Sequence, residues 1–167
     1  MKPIDTLTIL FSHHLWANLR LLEQCAELSA DQLTATISGA RGPIQETLEH
    51  IVTSEQSYLS RISNGQPYSR TADAAPMTIA EMIAAAQQTG QGFIEWASRV
   101  HPTDTVRVMW EGTPRDVPKT IILTQVINHA TEHREQVKAT LTEMGIEPPD
   151  LQGWVYFEEH HDQFGFE

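Results

Sequence analysis

Positive charge is scarce in this chain: 11 lysines and arginines stand against 22 aspartates and glutamates, a formal net charge of −11. An imbalance of that sign repels phosphate backbones and anionic headgroups, so neither nucleic acid nor a membrane surface is an expected partner. Cysteine is scarcer still. Cys25 stands alone, so no disulfide can close within the chain, and a reducing, cytoplasmic setting is the expectation. No apolar run approaches the ~18–20 residues that cross a bilayer. The N-terminus lacks the basic-then-apolar order of a signal peptide, since Asp5 comes early and polar residues interrupt the first helical stretch. Aromatic residues are only 7% of the chain, yet Trp154, Tyr156 and Phe157 fall together in the tail. Such a cluster docks on something, either the same fold or a partner chain.

The 167 residues, 40% of them hydrophobic, suit one globular domain over 1–167 with a single core. Four long segments carry helical periodicity. In the first, 4–28, Leu7, Leu10, Phe11, His14, Asn18, Leu21, Cys25 and Leu28 recur at steps of three and four. The second spans 43–63, with Pro43 in the first turn and Asn64-Gly65 as the stop. The third spans 78–100, opened by a Thr78…Glu81 capping box and weakened at Gly90 and Gly92, where a bend is expected. The fourth runs from Pro118 to Met144 and ends at Gly145, before Pro148-Pro149. Between the last two, Thr105–Trp110 alternates and is rich in β-branched residues, and Glu111–Pro114 reads as a turn, which together predict a short β-hairpin. The fold class is therefore all-α, a four-helix bundle with a hairpin before its last helix.

Within the last helix, His129 and His133 lie four residues apart and so on one face. They share the stripe Ile122, Val126, Val137, Leu141 and Met144, which faces inward. Two buried imidazoles need partners. Spacing alone leaves two readings, a hydrogen-bonded core pair or a metal site. His50, beside the apolar stripe of the second helix, favours the metal, because bundle metal sites draw ligands from facing helices. Three neutral imidazoles suit zinc, nickel, iron or copper rather than calcium or magnesium, and leave room for water or a substrate atom.

The other histidines offer less. His14 reads as a satisfied core or cleft histidine and His13 as an edge residue. His101 reads as a partner of the last carbonyls of its helix. His160 and His161 read as a solvated tail pair able to bind metal adventitiously. Glu55 can orient a ligand, act as a base or form a surface salt bridge. Arg134 can meet an anionic substrate group or pair with nearby glutamates. Asn18 on an inward stripe needs polar company, and Cys25 reads as a small core residue.

The stretches His13-His-Leu-Trp-Ala-Asn-Leu-Arg-Leu-Leu22, Thr47-Leu-Glu-His-Ile-Val52 and His129-Ala-Thr-Glu-His-Arg134 resemble the DinB family of bacterial metal-binding bundles. The order holds over nearly the whole chain, although the tyrosine frequent at the His13 position is absent. The resemblance implies a four-helix bundle with non-sequential helix order, frequent homodimers, and a divalent metal, often nickel or zinc, on His50, His129 and His133. It also implies kinship with thiol-dependent transferases and a mycothiol-dependent isomerase. Three functions are therefore expected as alternatives. The first is a metal-dependent transferase of a low-molecular-weight thiol. The second is a metal-dependent hydrolase with a base such as Glu55. The third is a non-catalytic, stress-associated metal-binding or dimerisation module.

Overall fold

The computed structural model describes residues 4–71 and 73–164. Its elements are α1 (Thr6–Cys25), α2 (Ala30–Leu33), α3 (Ile44–Asn64), α4 (Ile79–Ala97), β1 (Thr105–Trp110), β2 (Thr113–Pro118), α5 (Lys119–Glu143) and α6 (Gly153–His160), followed by a 3-10 turn, His161–Phe164. Four long helices and one hairpin are as the periodicity predicts.

Local chemistry fixes their ends. Asp5 caps α1, its Oδ1 accepting from the Thr8 amide at 3.1 Å, so the helix starts two residues later than its apolar stripe suggests. At the other end α1 stops at Cys25, and the chain turns into the short α2, opened by a Ser29–Gln32 capping box that the apolar pattern does not reveal. Thr78 and Glu81 form the expected box at the start of α4. Gly145, at φ +74°, closes α5: its own amide reaches the Thr142 carbonyl and the Ile146 amide reaches Leu141. Those two bonds are the Schellman pattern, which favours glycine because the left-handed region penalises a Cβ.

The helices are not arranged in sequence order. α1 packs on α4, α4 on α3, α3 on α5, and α5 closes more loosely on α1. α4 comes close to both neighbours because it has glycine at the contacts. A Cβ at Gly90 would lie 2.5 Å from Leu15 Cδ1, and one at Gly92 would lie 2.4 Å from Leu59 Cδ2. α4 runs unbroken through both, so the glycines serve close packing rather than the expected bend.

The antiparallel hairpin pairs Thr105 with Pro118 through Trp110 with Thr113. Its turn is narrower than expected. Only Glu111 and Gly112 sit outside the ladder, both left-handed at φ 49° and 76°, as a two-residue hairpin turn of primed type requires. Thr113 and Pro114 belong to β2.

The core falls into two apolar clusters. One surrounds Leu21, Leu48, Met82 and Leu141, and the other Phe11, Phe93, Ile122 and Val126. Along α1, α3 and α5, the buried polar residues His14, Asn18, Glu55 and Arg134 fall between the two. The aromatic tail docks on the same chain. α6 lays Tyr156 edge-on against Trp16 and His13, and Glu159 accepts from Trp16 Nε1 at 3.0 Å and Arg20 at 2.9 Å. The periodicity of the tail does not predict α6 as a helix.

Candidate metal centre

α3 and α5 pack face to face, and their inward stripes bring three imidazoles together. His50 comes from α3, and His129 and His133 come from successive turns of α5. Ring centroids are 4.8 Å apart for His50 and His129, 5.0 Å for His50 and His133, and 4.5 Å for His129 and His133. One ring nitrogen from each lies within 4.8 Å of the other two. The closest approach is His129 Nε2 to His50 Nε2, at 3.0 Å.

The hydrogen bonding selects the ligand atoms. Gln136 Oε1 accepts from His133 Nδ1 at 2.8 Å and from the Arg41 amide at 3.2 Å. An acceptor oxygen in that position requires the proton on Nδ1, so the Nε2 lone pair of His133 is free for a cation. His129 Nδ1 is buried without a partner, which leaves Nε2 as its working atom.

Two of the rings, His50 and His129, are held toward the neutral form. Burial, then the charge of Arg41, then the neighbouring His129 and His133 hold His50 down to about 4. Burial first and His133 second push His129 down, against the opposing pull of Glu55 and Glu132. Neutral imidazole is the form that ligates. Nitrogens about 2.0–2.1 Å from a zinc-sized ion stand roughly 2.9–3.4 Å apart between right-angled and tetrahedral geometry, so the His50–His129 spacing of 3.0 Å matches, and the His133 nitrogen lies within 4.8 Å of both. The residues present therefore fit a divalent metal. Among the described residues no cysteine or carboxylate joins them.

Behind the centre lies a polar layer whose members are visible only singly in the sequence. Glu55 is not a surface residue. It is 1% exposed, and its Oε1 accepts from His14 Nε2 at 2.9 Å and from Asn18 Nδ2 at 2.9 Å. Arg134 is buried, donating to Asn18 Oδ1 at 2.7 Å and to Thr131 Oγ1 at 2.9 Å rather than to Glu132 or Glu135. Burial pushes the guanidinium down in spite of the attraction of Glu55 and Glu135. Asn18 thus has the company its position demands. His14 is a core histidine, as expected, but only half satisfied: its Nε2 meets Glu55 while its Nδ1 is buried without a partner.

The remaining histidines lie elsewhere. His13 Nε2 meets the Leu151 carbonyl at 2.8 Å. His101 does not reach the helix-end carbonyls, because its Nδ1 bonds Thr103 Oγ1 at 2.8 Å inside its own turn. His160 is half-buried rather than solvated, stacked 4.4 Å from Tyr156. His161 pairs with Asp162. Cys25 is fully buried and its thiol is pushed up to about 12, which suits a core residue and not a nucleophile.

Two recesses flank α5. A groove of about 350 Å³ lies next to the centre, with Tyr58 between them: its ring lines the groove and stands edge-on to His129 with centroids 5.9 Å apart. A larger cleft of about 560 Å³ lies against Thr124, Ile127 and Thr131, on the face of α5 turned away from the histidines.

Comparison with known proteins agrees with this architecture. The DinB family model matches residues 4–162. The chain belongs to the DinB family. Two solved DinB-like proteins share the fold. One, from Bacillus cereus, is 17% identical with a TM-score of 0.61, covering 83% of this chain and 91% of the other. The other, from Bacillus subtilis, is 16% identical with a TM-score of 0.60, covering 86% and 97%. No curated protein matches the chain. The non-sequential helix order is that of a DinB bundle, and the three histidines give this member a cluster able to hold a metal. No helix among the described residues is long and apolar enough to cross a membrane.

Proposed function

We propose that this DinB protein is a metal-dependent enzyme of thiol chemistry, with His50, His129 and His133 holding a nickel or zinc ion and a low-molecular-weight thiol as cosubstrate. One observation carries the reading: three imidazoles from two facing helices converge and meet no fourth ligand among the described residues. A structural zinc site is closed by four protein ligands, whereas a catalytic one keeps a position free. A divalent metal there supplies Lewis acidity, holding a coordinated thiol as thiolate at neutral pH.

The chain's own residues supply the rest. Gln136 fixes the tautomer and angle of His133. Tyr58 sets the plane of His129. Glu55 and Arg134 act from behind the ligands: with Asn18 they tie α1, α3 and α5 together beside His129 and His133. Hydrolysis with Glu55 as base has less support, since its Oε1 is occupied and the side chain is sealed from solvent. A homodimer completes the proposal, supported by the exposure of Leu7, Leu10 and Trp154 along one side of the bundle.

The test is conjugation of monochlorobimane by tag-free, metal-loaded protein, with and without a panel of low-molecular-weight thiols. The expected result is turnover that needs a thiol, is lost on chelation and returns with metal. Turnover that ignores chelation, or none above the uncatalysed rate with any thiol, contradicts the proposal.

A further inference from the structure

The face of α3 that carries His50 continues through Ser54, Ser57 and Arg61, at steps of four, three and four. The face of α5 that carries His129 runs back through Gln125 and Ile122. The two helices are antiparallel: Lys119 Nζ, at the start of α5, donates to the Ile62 carbonyl near the end of α3 at 2.6 Å. Both faces therefore lead away from the histidines in the same direction. Over this end the hairpin lays Val108, Trp110 and Val117, completing the groove of about 350 Å³. That volume accommodates a small molecule. Tyr58 belongs to both places, lining the groove and touching His129.

The groove is apolar along most of its wall and holds one cation. Arg61 is half-buried, and its Nη1 donates to the Ser57 hydroxyl and, at 3.4 Å, to the Ser57 carbonyl. Those bonds turn the guanidinium back along α3, toward His50. Arg20, Arg70, Arg99 and Arg107 each hold a carboxylate. Among the described residues Arg41, Arg61, Arg115 and Arg134 hold none, although acidic residues outnumber basic ones two to one, and of these four only Arg61 lines the groove. A guanidinium with free donors in a partly dry recess is matched by a carboxylate, which takes two of its N–H groups at once. Ser57 lies seven residues beyond His50, about 10 Å along the helix axis, which is the length of a modest organic molecule.

We infer that this groove is the second-substrate site and takes an organic carboxylate with a flat apolar body. The carboxylate sits on Arg61, the body lies between Tyr58, Trp110 and Ile122, and the far end reaches the three histidines. Arg61 is thus a specificity residue. The inference rests on the metal-centred reading for what happens at that far end, but the recognition of the carboxylate depends on the groove alone.

The experiment is calorimetric titration of full-length protein with 2-naphthoate and with its neutral analogue 2-naphthamide, alongside elemental analysis of each sample. The wild type is expected to bind the carboxylate at least about tenfold more tightly than the amide. Arg61→Gln removes that preference with metal content unchanged, and Arg61→Lys, which keeps the charge, retains part of it. Chelated wild type keeps the preference. Absence of naphthoate binding, equal binding of the two probes, or an undiminished preference in Arg61→Gln overturns the inference. Unchelated protein that holds no metal even after incubation with nickel or zinc, yet still prefers the carboxylate, removes the metal reading and leaves the groove standing. Metal-bearing protein without the preference does the reverse.

Discussion

Nε2 of His50 lies 3.0 Å from Nε2 of His129, although 79 positions separate them in sequence. The approach comes from helix order. α3 and α5 are neighbours because α4 packs between α1 and α3, which leaves the other flank of α3 for the last helix. Burial and like-charge proximity then hold the rings neutral, the state in which each can offer a lone pair to a cation.

The buried layer of Glu55, Asn18 and Arg134 makes a prediction about stability. Glu55→Ala leaves the Arg134 guanidinium without its compensating carboxylate, at a cost of about 3 kcal/mol. Arg134→Met together with Glu55→Ala is expected to cost at least about 1 kcal/mol less than the sum of the single changes, measured by urea denaturation. Additive losses would show that the two charges do not act through Asn18.

Gly90 makes a second. Alanine is the better helix former by about 1 kcal/mol, yet its Cβ would meet Leu15 Cδ1 at 2.5 Å and Leu15 Cβ at 2.9 Å. Overpacking against a side-chain root is the larger effect, so Gly90→Ala destabilises the bundle by about 1–3 kcal/mol. An unchanged or raised denaturation midpoint contradicts the close approach of α4 to α1.

The histidines make a third, in pH. His50 titrates near 4 in the folded chain and near its ordinary ~6.5 when unfolded. Between those values the unfolded chain takes up a proton that the folded one refuses, so stability is full above about pH 6.5 and falls as pH drops toward 4. His129, also depressed, adds in the same direction. Chelated protein is expected to show a melting temperature that declines through this window, with a shallower slope in His50→Gln. A flat profile, or one that rises on acidification, contradicts the buried, mutually repelling arrangement.

Much of the site is legible in the sequence, for identifiable reasons. His129 and His133 are readable because a helix repeats on one face, and His50 because it sits beside an apolar stripe. The signals for the polar layer are present but weak. Glu55 falls in register with Leu48, Ile51 and Ile62, and Arg134 with Ala130, Val137 and Leu141. A charge in such a stripe reads as surface until its partner on another helix is known, and Asn18 is that partner for both. The glycines of α4 read as a bend because a sequence does not show which neighbour comes near. α6 escapes because eight residues starting at glycine carry little periodicity, and its helix forms on the Trp16 surface. Arg61 carries no signal at all. Only the hairpin folding over α3 and α5 makes it a groove residue.

Leu10 is 43% exposed and Trp154 77% exposed on one side of the bundle, which supports a dimer of this chain. Sedimentation equilibrium is expected to give a dimer for the wild type and a monomer for Leu10→Glu combined with Trp154→Glu. A wild type that stays monomeric at all concentrations contradicts the assignment.

The most direct test of the central claim is elemental analysis of tag-free protein, in the wild type and in His129→Ala and His133→Ala, each with His160 and His161 also replaced. One divalent ion per wild-type chain and almost none in either variant is the expected result. Equal metal content in all three would show that the imidazoles of α3 and α5 do not form the site.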